Sequence, residues 1–251
     1  MMAEIPTWVA HRGYAAHWPE NTLPALEAAV AAGARWVEID VQVCADGVPV
    51  LLHDPDLERV AGHAASVFGL TSAALASVPV GEPARFGTRF ADVRAPTLAE
   101  FATWLAGHAD VTALVEMKVE SIERFGRSAV VDACLAAMAP ARGRWAPISC
   151  DEEALALAGD TGMRTLGWVV RHFDETVAAR ARNLPARWLI CNHHRLPPGP
   201  LPRGPWEWML YEIADAALAR ELVGRGARWL ETMAIGELRG AFGEPAPPHP
   251  V

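Results

Sequence analysis

Glu38 and Asp40 lie two residues apart in the run Trp36-Val37-Glu38-Ile39-Asp40-Val41. In an extended chain successive side chains point to opposite faces, so the two carboxylates share one face, about 7 Å apart at their backbones, and the hydrophobic residues take the other. Carboxylates on one buried face repel unless a cation lies between them, and hard oxygen ligands suit Mg²⁺ or Ca²⁺ better than zinc. The alternative is an edge strand with a wet polar face. The run Leu114-Val115-Glu116-Met117-Lys118-Val119 repeats the pattern, with Glu116 and Lys118 on one face of an otherwise apolar segment. Alone, that pair also reads as solvated sheet face. Joined to Glu38 and Asp40, it supplies a third oxygen ligand and an ammonium group, a set suited to a metal that must also hold an anion.

Two apolar runs, Val9-Ala10-His11-Arg12-Gly13 and Val50-Leu51-Leu52-His53-Asp54, each stop at an imidazole. Taken singly, such a histidine is as well explained as a cap or a satisfied core residue. Around a metal-bound anion, two titratable groups are what phosphoryl or acyl hydrolysis needs: one takes a proton and one gives it to the leaving oxygen.

The elements that must position these residues alternate between apolar β-type runs and Ala- and Leu-rich stretches of helical period, the pattern of βα units on a parallel sheet. Candidate strands cover residues 8–11, 36–43, 48–53, 112–119, 146–150, 165–170, 188–191 and 206–213, with 228–231 as a further short candidate. Eight fit a closed (β/α)₈ TIM barrel and nine do not, so one of these runs lies outside it. Helix signals fall at 23–32 before Gly33, 98–106 before Gly107, 127–138, and 216–223 before Gly224 and Gly226. A doubly wound open sheet shares the rhythm, but the first turn reads His11-Arg12-Gly13 and not G-x-G-x-x-G, which writes no dinucleotide cradle. In a barrel, strands deliver such side chains to the C-terminal mouth. Residues 57–96, weakly periodic and glycine-containing, read as a small insertion after the third candidate strand, beside that mouth. Residues 197–205 read as a rigid proline-rich loop, and 245–251 as a disordered tail on a single domain spanning 1–251.

At 51% hydrophobic and 21% charged, the 251 residues are enough for one large domain with a sizeable core. The net charge of -8 repels nucleic acid and anionic lipid, so an anionic substrate must be captured by local positive charge. No apolar run reaches the roughly 18 residues of a membrane helix, and the N-terminus lacks a basic start followed by an apolar core, so the expected setting is cytoplasmic. Cys44, Cys134, Cys150 and Cys191 lack the close pairing of a zinc or redox motif and read as buried free thiols. The ten tryptophans are scattered, as expected of core and pocket walls rather than a base-stacking platform. Oligomeric state leaves no trace in the sequence.

Together, H-R-G (His11 to Gly13), P-E-N-T (Pro19 to Thr22), E-I-D (Glu38 to Asp40), D-G-V-P-V-L-L-H-D (Asp46 to Asp54) and E-M-K (Glu116 to Lys118) resemble the glycerophosphodiester phosphodiesterase family. Looser likeness continues through Pro96-Thr97-Leu98 with Glu100, Ser149, Tyr211 to Asp215, and Gly226 onward. The resemblance implies a TIM barrel that hydrolyses glycerophosphodiesters to sn-glycerol 3-phosphate and an alcohol with one divalent metal. It implies Glu38, Asp40 and Glu116 as ligands, His11 and His53 as the acid and base pair, and Arg12 and Lys118 as holders of phosphate oxygens. It also implies attack by the glycerol 2-hydroxyl, giving a cyclic phosphate that water opens. Glu20 fits either a contact to substrate glycerol or metal-site water, or a pair with Arg12. Two departures stand out: Ala214 where the family usually carries Asn, and Leu230-Glu231-Thr232 where it carries T-D. Two other readings remain open. One is a lysophospholipase D type activity with an acyl groove built from Val67, Phe68, Leu70 and Phe86. The other is a phosphoglycerol-binding barrel of little turnover.

Overall fold

The computed structural model describes residues 5–244. Eight strands run parallel around it: β1 (Thr7–His11), β2 (Trp36–Val43), β3 (Thr112–Met117), β4 (Trp145–Ser149), β5 (Gly167–Val170), β6 (Trp188–Asn192), β7 (Glu207–Tyr211) and β8 (Trp229–Thr232). Because β1 pairs with both β8 and β2, the sheet closes, and helices lie between its strands as in a (β/α)₈ barrel.

The run outside the barrel is 48–53. Only Pro49–Leu51 of it is strand, and it pairs antiparallel with the end of β2, Val41 opposite Leu51 and Val43 opposite Pro49. The short candidate 228–231 is instead a full barrel member, β8. The insertion therefore follows a β-hairpin appended to β2 and not a third barrel strand. It holds a two-stranded hairpin (Asp56–Leu57 with His63–Ser66) and short helices over a small core of its own, including Val60, Val67, Leu75 and Val80. Lys118 is also not strand: it precedes the helix Val119–Phe125.

Period-2 alternation decides what fills the barrel. Inward positions of the lower layers are apolar: Val9, Leu114, Ala146, Ile148, Val169, Ile190 and Met209 cluster with Trp188 and Trp229. Trp36, Trp188 and Trp229 meet edge to face, with centroids 4.8 to 5.7 Å apart, and plug the end where the strands begin. Two residues further along each strand the inward positions become His11, Glu38, Glu116 and Glu231, so polarity is confined to the opposite, C-terminal end. Gly167 is what lets β5 fit: a Cβ there would lie 2.7 Å from Ile148 and 2.9 Å from Ile190.

The loop after β1 is fixed by its sequence. Thr22 caps the helix Leu23–Ala31, its side chain accepting from the Ala25 N–H, and Pro24 sits in the first turn, where it forfeits no hydrogen bond. The helix Leu98–Gly107 starts with a full capping box between Thr97 and Glu100. Gly13 has φ of +83°, and a Cβ there would fall 2.7 Å from the backbone of Ala25. The proline-rich loop after β6 is pinned by Arg225, which donates to the carbonyls of Gly199 and Pro197. The expected disordered tail lies outside the described residues.

Gly13→Ala combines left-handed strain of about 1–2 kcal/mol with the clash against the helix backbone. Its melting temperature should fall by at least about 5 °C, since each kcal/mol moves a domain of this size by about 2–4 °C. A variant that melts with the wild type would show that the close approach is not needed.

Candidate active site

The C-terminal ends of the strands surround a cavity of about 330 Å³ lined by His11, Glu38, His53, Glu116 and Glu231 among others. Glu38 and Asp40 leave β2 on one face, as their spacing requires, and Asp40 is in register with Glu116 on β3. Each of the three carboxylates offers an oxygen within 4.8 Å of the others. Glu38 keeps one buried oxygen, Oε1, with no partner. Its burial, and then the nearby charges of Asp40, Glu231 and Glu116, push its pKa well above the usual range. Clustered oxygens, one of them unsatisfied and short of positive charge, fit a hard divalent cation held by Glu38, Asp40 and Glu116.

Asp40 is the most tightly held of the three. The Arg12 Nε lies 3.0 Å and the Lys118 Nζ 3.3 Å from its two oxygens, and the Asn21 side chain donates to it at 2.9 Å while accepting from its backbone N–H at 3.0 Å. Burial alone would raise the Asp40 pKa, but Arg12 and then Lys118 overcome it and hold the group ionised. Lys118 also reaches Glu116 Oε1 at 3.1 Å. Arg12 and Asn21 adopt φ of 58° and 55°, so the turns carrying both partners of Asp40 are in the left-handed region.

Both histidines reach the cavity. His11 Nε2 is 3.8 Å from Glu38 Oε2. Burial, then the Arg12 charge, pushes its imidazole down to about 3, so it is neutral at physiological pH. His53 Nδ1 lies 2.7 Å from Asp54 Oδ1. Ionised Asp54 can only accept, so Nδ1 carries the proton and Nε2 is the nitrogen open to a substrate.

Glu20 resolves in favour of pairing: Oε1 lies 3.0 Å from Arg12 Nη1, and Arg59 grips both its oxygens at 2.7 Å. Arg59, on the insertion helix Glu58–Ala61, also donates to Asp54 Oδ2 at 2.7 Å. One chain of ion pairs thus runs from His53 through Asp54, Arg59, Glu20 and Arg12 to Asp40. The sequence reading missed Arg59 because nothing in its neighbourhood marks it. The insertion is further tied down by buried Glu82, which accepts from the Glu20 N–H at 2.7 Å, and by Arg85, which donates to the Ala15 carbonyl at 2.6 Å.

Glu231 was also missed as a site residue, although the alternation Trp229-Leu230-Glu231 places it inward. It is 3% exposed, with Oε1 unpartnered. Burial, then Glu116 and Asp40, raises its pKa to about 8. Thr232 faces the other way and ties strand ends together, donating to the Ile213 carbonyl at 2.8 Å and accepting from the Ala234 N–H at 3.0 Å. Ala214 is exposed beyond β7. The cysteines are unpaired; Cys150 is only partly buried, at the cavity wall, contrary to the expectation that all four are buried. The apolar residues expected to form an acyl groove serve the insertion instead: Val67 is fully buried, Phe68 packs on Phe125, and Phe86 packs on Phe90. Among the described residues no helix is long and apolar enough to cross a membrane.

Fold and site together define a (β/α)₈ barrel with an acidic, histidine-flanked cavity at its C-terminal mouth. Residues 11–156 match the glycerophosphoryl diester phosphodiesterase family, and the chain belongs to that family. Glycerophosphodiester phosphodiesterase 1 of Mus musculus is 37% identical over 100 residues, covering 40% of this chain and 30% of that protein. The glycerophosphodiester phosphodiesterase of Caldanaerobacter subterraneus is 36% identical over 110 residues, 44% of either chain. The chain thus matches less than half the length of these curated relatives. Among solved structures, an Oleispira antarctica phosphodiesterase in complex with the product sn-glycerol-3-phosphate superposes with a TM-score of 0.80 at 20% identity, over 95% of this chain and 97% of that one. A glycerophosphodiester phosphodiesterase from Thermotoga maritima gives 0.70 at 21% identity, over 93% and 96%.

The raised Glu231 pKa means that the folded protein holds this proton more tightly than the unfolded chain does. Wild type should therefore lose stability relative to Glu231→Gln as pH rises from about 4.5, the unperturbed carboxylate value, to about 8. Melting curves in chelator should show the gap between the two proteins widening across that window and levelling above it. A gap independent of pH would mean that Glu231 is not held protonated.

Proposed function

We propose that this protein hydrolyses glycerophosphodiesters to sn-glycerol 3-phosphate and an alcohol, with one divalent cation, Mg²⁺ or Ca²⁺, held by Glu38, Asp40 and Glu116. The observation that carries this reading is the convergence of three carboxylates within 4.8 Å with two histidines on the wall of the same cavity. The cation, when bound, neutralises charge on the phosphoryl oxygens and orients them. Arg12 and Lys118 add a guanidinium fork and a point charge at the same oxygens.

His11, whose Nε2 lies 3.8 Å from Glu38 Oε2 at the carboxylate cluster, we assign as the base that takes the proton of the glycerol 2-hydroxyl as that oxygen attacks phosphorus. His53, oriented by Asp54, protonates the leaving alcohol. The resulting cyclic phosphate is opened by water with the two roles exchanged: His53 takes a proton from water, and His11 returns one to the 2-oxygen. Glu20 and Arg59 position Arg12 and Asp54 and do not touch the substrate. Four unpaired cysteines accord with the reducing, cytoplasmic setting read from the sequence. The lysophospholipase D alternative loses its support, because the apolar residues it needs pack within the insertion or on its neighbours. Full retention of the metal, phosphate and histidine groups argues against a barrel that only binds.

Activity on glycerophosphoinositol, read as release of glycerol 3-phosphate, should vanish on exhaustive chelation and return with Mg²⁺ or Ca²⁺. Glu38→Gln, Asp40→Asn and Glu116→Gln should each weaken metal binding. Undiminished turnover after chelation would refute the metal assignment.

His11→Ala and His53→Ala should each fold and lose at least about 10²-fold in kcat. On a glycerol phosphodiester whose leaving group is p-nitrophenolate, which departs without a proton, His53→Ala should recover most of its rate and His11→Ala should not. Rescue of His11→Ala alone would reverse the two assignments.

A further inference from the structure

Four cationic side chains line the cavity: Arg12, Lys118, Arg171 and Arg195. The first two are already matched by carboxylates of the chain itself. Arg12 lies 3.0 Å from both Glu20 and Asp40, and Lys118 lies 3.1 Å from Glu116 and 3.3 Å from Asp40. Arg171 and Arg195 have no carboxylate partner among the described residues. The hydrogen bond that holds them is the donation of Arg195 Nη1 to the Arg171 carbonyl at 3.2 Å, which joins their two loops and leaves the guanidinium of Arg171 free.

Their place in the barrel is set by register. Gly167 and Val169 are inward positions of β5, and Arg171, the residue that follows the strand, lines the cavity beyond Val169. Arg195 closes the turn His193–Arg195 that follows β6. In a ring of eight strands, β5 and β6 stand opposite β1 and β2, which carry His11, Glu38 and Asp40. The cavity is therefore divided: carboxylates, with the cations that offset them, on one side, and two uncompensated guanidinium groups on the other.

A phosphodiester carries a single negative charge, and the proposed cation with Arg12 and Lys118 already addresses it. Two further free guanidiniums, in a chain of net charge -8, answer to a second anionic group lying beyond the phosphorus. That group belongs to the leaving alcohol. A guanidinium's forked donors match the oxygens of a phosphate or carboxylate, whereas the ammonium of choline would be repelled. We infer that Arg171 and Arg195 form a second anion subsite that selects glycerophosphodiesters whose alcohol bears a phosphate or carboxylate. This rests on the diesterase reading above and names its substrate class.

The test compares two substrates that differ by one phosphate on the leaving alcohol, glycerophosphoinositol and glycerophosphoinositol 4-phosphate. Wild type should favour the second in kcat/KM by about tenfold or more. Arg171→Ala/Arg195→Ala should remove that preference while keeping activity on glycerophosphoinositol within about threefold, and Arg164→Ala, a change of exposed charge elsewhere, should retain it. Equal losses on both substrates would assign the two arginines to the scissile phosphate and overturn the inference, as would a preference absent from wild type or unchanged in the double variant. Calorimetric binding of inositol 4-phosphate supplies a readout that needs no turnover. If neither diester is hydrolysed, the diesterase reading fails on its own, and affinity for this alcohol unchanged by the double substitution still sinks the subsite.

Discussion

The rest of the site depends on keeping Asp40 charged while it is 1% exposed. An unpaired carboxylate in such a place would simply take up a proton. Here Arg12 and Asn21, from the two ends of the loop after β1, and Lys118, from the end of β3, converge on it. Arg12 and Asn21 occupy left-handed backbone, and Lys118 stands at the junction between β3 and the next helix. Once Asp40 is fixed in ionised form, Glu38 and Glu116 beside it are pushed the other way, toward protonation, because burial and the neighbouring negative charge both oppose their ionisation. That imbalance suits the group to receive a cation rather than to close as a salt bridge. A buried pair that satisfied all three carboxylates would have nothing left to offer.

What was legible in the sequence follows from periodicity. The E-x-D alternation places its carboxylates on the face where the structure has them, Lys118 meets Glu116 from just past the strand, and the run 36–43 is β2 to the residue. The misplaced strand was legible too, by a signal that alternation does not carry. Between Val43 and Pro49 lie five residues, and a parallel crossover needs a dozen or more, so only a hairpin could follow β2. Asp46-Gly47 marks that turn, with Gly47 at φ of +78°. Glu231 was likewise visible in principle, as a charge on the inward register of a short apolar strand. Its inward direction depends on which face of β8 meets the barrel interior, and Trp229, two residues earlier, sets that face.

Other parts were not legible because they are long-range ion pairs with no local pattern. Arg59 is an ordinary exposed-type residue in a weakly periodic segment, and only the folded insertion brings it to Glu20, 39 positions away in sequence. The insertion is thereby more than an ornament at the mouth. It orients the Asp54 that fixes the His53 tautomer, and it clamps the Glu20 that orients Arg12, so one appended segment positions both the group proposed for proton transfer and the group proposed to hold phosphate. His53 itself comes from the hairpin outside the barrel, whereas His11 ends a barrel strand. The two members of the pair therefore rest on different scaffolds, and the ion-pair chain through Arg59 is what keeps them in register.

The tryptophan plug adds a directional constraint. With Trp36, Trp188 and Trp229 filling the end where the strands begin, and Arg187 stacked over two of these rings, a substrate has no access from that side. Entry is confined to the C-terminal mouth, where the first strands with the hairpin and insertion build one wall and the turns after β5 and β6 build the other. On the proposed reading, chemistry and selection are carried by separate parts of one ring. The catalytic wall is fixed by mutual charge pairing, in which each member depends on the next, so substitutions there propagate. On the facing wall Arg195 donates to the Arg171 carbonyl, and neither side chain is paired to Asp40 or its partners. On the proposed reading, that is the wall on which differences in the accepted alcohol can accumulate, because altering it leaves the buried charge balance of the other untouched.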